Sequence, residues 1–189
     1  MDAARSMNLV CLGGSMRVPS LSLSVCRSAA AVGKEFGFST RILDLRELAL
    51  PIYVPDWELG QYPAGRDQIH QLVESLRVAD ALIWASPTYH GTVSGVFKNA
   101  VDFTELLCRD VRPYLYGRSV GLVSINDSTT FAAMRDCARE LRAWLAPTQV
   151  ELGGGDFNHD HELVGESATR RLRRLLQELA EFVTARPVA

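Results

Sequence analysis

At 189 residues, with 47 % hydrophobic and 22 % charged residues, the chain has the make-up of one globular domain with a proper core. A net charge of −2 supplies no basic field for nucleic acid or an anionic membrane, and no apolar run approaches the roughly 20 residues of a membrane span. The four cysteines (Cys11, Cys26, Cys108, Cys137) form no C-x-x-C pair and no metal spacing, and the N-terminus lacks a signal peptide's apolar core; both point to reduced thiols in a cytoplasmic protein.

Short apolar runs alternate with longer amphipathic ones, the pattern of a doubly wound α/β protein with helices on both faces of a parallel sheet. Residues 7–13 form a continuous apolar run, as a strand buried on both faces should. Residues 23–36 follow as a helix with Val25, Ala29, Val32 and Phe36 on one stripe. A second strand fits 40–45. The stretch 46–65, with three prolines and the aromatic segment around Tyr53 and Trp57, reads as a long loop of the kind that usually serves function. Ile69, Leu72, Val73 and Leu76 mark a helix, 81–86 a third strand, and 93–108 a helix carrying Val96, Phe97, Ala100, Phe103 and Leu107. A fourth strand at 119–125 leads to a helix over 130–145, stopped by Pro147, and to a short fifth strand at 149–152. The last helix, 167–185, has a leucine-rich face and an arginine face (Arg170, Arg171, Arg173, Arg174) best read as solvated. The expectation is a single domain over 1–189 with five strands and five helices, and with 1–6 and 186–189 as tails.

In an open doubly wound sheet of order 2-1-3-4-5, ligands bind beyond the carboxyl ends of strands one and three, where the order reverses. After the first strand stand Gly13, Gly14, Ser15, Arg17, Ser20 and Ser22, directly before a helix. Glycines permit a tight turn, the helix start offers free N–H groups to an anion, and Arg17 adds a planar fork suited to phosphate. Ser20 or Ser22 serves equally as a plain helix cap. The loop spells neither a Walker sequence nor G-x-G-x-x-G. After the third strand come Ser86, Pro87, Thr88, Tyr89, His90 and Gly91, a stiffened turn able to present backbone donors and an aromatic ring to a heterocycle.

The two loops together resemble the NAD(P)H-dependent FMN reductase family of flavin, quinone, chromate and azo reductases. Gly14, Ser15, Arg17 and Ser20 match its first motif, with Ser22 in place of an asparagine. Pro87, Tyr89, Gly91, Gly95, Lys98, Asn99 and Asp102 match its second, with Thr88, His90 and Phe97 as variants. The resemblance covers residues 7–183. It implies a flavodoxin-like fold, FMN as cofactor, NADPH or NADH as hydride donor, a small-molecule acceptor such as a flavin or quinone, and a homodimer or homotetramer. It places the phosphate on Ser15, Arg17, Ser20 and Ser22, and the ring against Pro87, Thr88, Tyr89, His90 and Gly91. Where many relatives carry glycines after strand four, this chain has Ser124 to Thr130; Asn126 or Ser128 can hydrogen-bond the ring there, while Asp127 or Ser128 can equally cap the next helix.

Rival readings have less behind them. A flavodoxin-type carrier would show a threonine-rich phosphate loop and strong acidity, and a receiver domain would need acidic residues where Gly13, Gly14 and Ser86 stand. A specialised biosynthetic flavoenzyme on the same fold is the nearest alternative. The cluster His159, Asp160, His161, Glu162 invites a metal, but consecutive loop residues seldom converge on one ion; a reach toward the flavin mouth from a neighbouring subunit is the better expectation. Phe131, Met134, Cys137, Ala138, Leu141, Trp144 and Leu145 cover more of a helix than one core stripe needs, which suits an oligomer contact.

Overall fold

The computed structural model describes residues 6–186; of the expected tails at 1–6 and 186–189, residues 1–5 and 187–189 lie outside the described residues. Five strands, β1 (Met7–Gly13), β2 (Phe38–Asp44), β3 (Ala81–Tyr89), β5 (Ser119–Ile125) and β6 (Trp144–Leu152), form one parallel sheet in the order β2-β1-β3-β5-β6. Counting these main strands alone, this is the expected 2-1-3-4-5. A further two-residue strand, β4 (Thr92–Val93), pairs antiparallel with the end of β3.

Strand side chains alternate between the faces, and the two resulting cores differ in their helices. Leu9 and Cys11 of β1, Ile83 of β3 and Val123 of β5 pack with α1 (Leu21–Glu35) and α6 (Glu166–Ala185). Val10 and Leu12 of β1, Leu82 and Trp84 of β3 and Leu122 of β5 pack with α3 (Arg66–Val78), α4 (Gly95–Asp102) and α5 (Thr130–Glu140). Leu172, Leu175, Leu176 and Leu179 of α6 are fully buried, each worth about 1.5–3 kcal/mol of transfer energy. Arg173 and Arg174 lie on the exposed face as expected, pairing with Glu35 and Glu178. No helix among the described residues is long and apolar enough to cross a membrane.

Several local expectations are corrected. The 46–65 loop is not structureless: α2 (Leu45–Leu48) follows β2, and a short 3-10 turn covers Leu59–Gln61. The helix expected over 93–108 is α-helical only to Asp102 and tightens into 3-10 geometry over Phe103–Leu107. The 130–145 helix ends at Glu140, with Arg142 in the left-handed region (φ 62°), and the last strand starts at Trp144 instead of 149. Pro147 therefore interrupts a strand rather than stopping a helix. An edge strand tolerates it because the register slips there: Val120 faces Leu145 but Leu122 faces Gln149. Trp144 and Leu145 thus leave the apolar helix stripe, and Trp144 instead stacks on Phe182 of α6 at 5.6 Å between ring centroids.

Candidate functional site

A cleft of about 400 Å³ opens at the carboxyl end of β1 and β3, where the strand order reverses. Ser15, Arg17 and Ser22 line it from the first loop, Pro87, Thr88 and Tyr89 from the end of β3, and Asn126 from the loop after β5. Seven of the residues expected at the site therefore converge on one space. Val18, Pro19, Leu21 and Ile125 complete the lining without polar chemistry to announce them, and His161, from the loop expected to reach in from a neighbouring subunit, lines it from its own chain.

The first loop is locked onto the sheet by its backbone. Gly14 N–H donates to the Ala85 carbonyl at 2.8 Å, and the Gly14 carbonyl accepts from Ser94 Oγ at 2.5 Å. A Cβ at Gly14 would stand 3.0 Å from Phe97 Cβ, so the close approach of the loop to β3 and α4 requires glycine. Ser20 is committed to capping α1: its Oγ accepts from Leu23 N–H at 3.1 Å. Ser20 does not line the cleft itself but contacts Ser22, with the two hydroxyl oxygens 3.2 Å apart. Ser15 Oγ accepts from Arg17 N–H at 3.1 Å, which tightens the turn beneath the exposed Arg17 side chain. No carboxylate among the described residues is paired with Arg17, and it is the one arginine or lysine of the lining.

The second loop is a hairpin. Thr88 pairs with Val93 and Tyr89 with Thr92, and His90 (φ 52°) and Gly91 (φ 81°) form the two-residue turn, both left-handed as a twisted hairpin demands. Pro87 to Tyr89 remain at the cleft, whereas His90 and Gly91 project at the exposed tip. The rest of the second motif is architectural. Asn99 receives the Tyr53 N–H at 2.9 Å and donates to the Pro51 carbonyl at 2.9 Å, pinning the long loop, and Lys98 pairs with Asp102 at 2.5 Å.

The wall after β5 is held by hydroxyls rather than shaped by glycine. Thr88 Oγ1 donates to the Asp127 carbonyl at 2.8 Å and contacts the hydroxyls of Ser124 and Thr130; Ser124 Oγ also donates to the Asp127 carbonyl. Asn126 sits at φ 80° with its N–H on the Leu152 carbonyl at 2.8 Å, and lines the cleft. Asp127 caps the turn into α5: its carboxylate accepts from Thr129 N–H at 2.8 Å, and that backbone bond, with a second from the Thr129 hydroxyl, holds the carboxyl below its ordinary range. Ser128 is exposed and outside the cleft, its carbonyl accepting from Phe131 N–H.

A larger hollow of about 630 Å³, lined by Asp56, Glu58 and Glu105 against the one cation Arg109, lies beside the long loop. Three carboxylates to one arginine disfavour a phosphate there, whereas Arg17 lines the switch-point cleft with no carboxylate in its lining.

Residues 7–157 match the sequence profile of the NADPH-dependent FMN reductases. The chain belongs to that family. It is an NAD(P)H-dependent oxidoreductase that works with FMN. An FMN-dependent NADPH-azoreductase of Staphylococcus aureus is 31 % identical over 183 residues, spanning 92 % of this chain and 94 % of the relative. The flavoenzyme NAD(P)H:(acceptor) oxidoreductase of Paracoccus denitrificans superimposes with a TM-score of 0.74 at 15 % identity, covering 95 % of this chain and 98 % of its own. A flavodoxin variant from Pseudomonas aeruginosa follows at 0.59 and 15 %, covering 92 % and 99 %, so the fold is flavodoxin-like.

The donor set fits FMN. Two buried serines, and an arginine that no carboxylate among the described residues pairs with, stand in the loop and first turn leading into a 15-residue helix, the chemistry a phosphate needs. Tyr89, Pro87 and Ile125 give the same cleft the apolar and aromatic walls a heterocycle needs.

Proposed function

We infer that this chain passes reducing equivalents from NADPH or NADH to a small planar acceptor, a quinone, flavin or azo compound, at the switch-point cleft. The observation that carries the reading is the convergence of Ser15, Arg17 and Ser22 with Pro87, Thr88, Tyr89 and Asn126 around one cavity. FMN, when bound, supplies the two-electron chemistry between donor and acceptor.

The protein's part is position and electrostatics. Ser15, Ser22 and the Arg17 guanidinium would hold the phosphate, with Ser20 acting through its cap on α1, and this grip would favour FMN over riboflavin. Pro87, Thr88 and Tyr89 would wall the ring on one side and Asn126 on the other; His90, Gly91 and Ser128 would act at the rim. The hydroxyl clasp around Thr88 ties the end of β3 to the loop after β5, and so would set the spacing between these two walls. No side chain need serve as acid or base. The whole of 1–189 would act as one cytoplasmic domain, in a homodimer or homotetramer.

Titration of purified protein with FMN, followed by anaerobic addition of NADPH or NADH, tests the reading. Binding with bleaching, then recovery of the flavin spectrum on adding a quinone or azo dye, is the expected result. A chain that binds FMN but is bleached by neither nucleotide would instead behave as an electron carrier.

A further inference from the structure

The turn between β6 and α6 places one residue in the cleft that no motif assigns. Residues 157–163 form a small hairpin: Phe157 and Leu163 bridge, Asn158 N–H donates to the Glu162 carbonyl at 2.9 Å, and His161 N–H donates to the Asn158 carbonyl at 2.9 Å. The Asn158 side chain fastens it further, accepting Glu162 N–H at 2.9 Å. A three-residue turn of this kind closes on a left-handed residue, the position where glycine is favoured. His161 occupies it, at φ 61°.

The turn's other two members point away. The side chains of His159 and Asp160 are 89 % and 62 % exposed and pair with each other at 3.2 Å. His161 alone of the three is half-buried and lines the cleft. It does so from its own chain, so the expected reach from a neighbouring subunit is not needed to bring this loop to the site. An imidazole thus stands where the backbone would prefer no side chain, and it faces the ligand space; strained positions of this sort are characteristic of binding sites.

Topology says which side of the cleft it serves. His161 leads into α6, whose Leu172, Leu175 and Leu176 share one core with Val25, Cys26 and Ala29 of α1 on the same face of the sheet. The Tyr89 hairpin leads instead to α4 on the opposite face. His161 therefore enters the cleft on the face that carries α1, and it lines the same space as Ser15, Arg17 and Ser22. We propose that His161 is a second phosphate-binding group, closing on the phosphate of the flavin nucleotide from across Arg17 and raising the preference for FMN over riboflavin.

This rests on FMN occupying the cleft, and the experiment separates the two claims. His161→Gly relieves the left-handed residue without disturbing the turn, so the variant should fold at least as stably as the parent by thermal melting. Its dissociation constants for FMN and for riboflavin are read by flavin fluorescence quenching. The expected result is a loss of about tenfold for FMN, the scale of one charge-assisted hydrogen bond, with riboflavin unchanged. An unchanged FMN constant, or an equal loss for both flavins, overturns the assignment. A parent protein that binds neither flavin overturns the cofactor reading and this inference with it.

Discussion

Thr88→Val tests whether the wall after β5 is held by the hydroxyl clasp. Valine keeps the shape and β-branching of threonine but cannot hydrogen-bond, so what changes is polar. The hydroxyl donates to the Asp127 carbonyl at 2.8 Å and contacts Thr130 Oγ1, which is fully buried. Ser124 Oγ still reaches the Asp127 carbonyl in the variant, so that acceptor keeps a partner. Thr130 Oγ1 loses its contact with Thr88 behind that wall. One buried group left short of a partner costs about 1–3 kcal/mol. For a chain of this size that is a fall in Tm of roughly 2–12 °C. Because Thr88 and Asn126 line the same cleft, the loosened wall should also weaken FMN binding. Differential scanning calorimetry of the flavin-free protein and an FMN titration check both effects. A variant with the parent's Tm and the parent's affinity would refute the clasp.

Two further outcomes follow from named groups. Arg17→Ala should weaken FMN binding by about 1.5–3 kcal/mol, the worth of a charge-assisted hydrogen bond, while leaving Tm near the parent value because the side chain is exposed; FMN and riboflavin titrations decide it. At Glu178, burial pushes the carboxyl upward, but the bonds from Arg174 and from the N–H and hydroxyl of Thr148 outweigh it and hold the carboxyl below its ordinary range. A depressed carboxyl stabilises the fold fully above its unfolded pKa and loses that contribution as pH falls through the folded one. Glu178→Gln should therefore lower Tm at neutral pH and narrow its gap to the parent in acid, and a gap that stays constant with pH would contradict the assignment.

The fold was legible wherever burial was two-sided. β1 and β5 are largely apolar and buried along most of their length, and their bounds in the sequence and in the structure coincide. β6 was not, because it is an edge strand. Its exposed Trp144 and interrupting Pro147 imitate the tail of a helix and its stop, and only the slipped register opposite Val120 and Leu122 explains how proline is accommodated there. The β3–β4 hairpin was hidden for a related reason: its turn is His90 and Gly91, and histidine in the left-handed region gives a much fainter turn pattern than asparagine would.

At the site, the polar residues that spell a motif could be read and those that depend on chain reversal could not. Ser15, Arg17, Ser22, Tyr89 and Asn126 sit at or just beyond the carboxyl ends of strands whose order predicts convergence. His161 lies beyond the last strand, among polar neighbours, and only the closing of the 157–163 hairpin turns it inward while His159 turns out. Ser20 shows the reverse case: its place in the motif is as well explained by the cap it makes to Leu23 as by any ligand.

The most direct test of the whole account is an anaerobic spectrum of the purified chain with one equivalent of FMN and an excess of NADPH. Quenched flavin fluorescence on mixing, followed by loss of the oxidised flavin absorbance, is the predicted result. A flavin that stays fully fluorescent and unbound in the presence of the protein would contradict it.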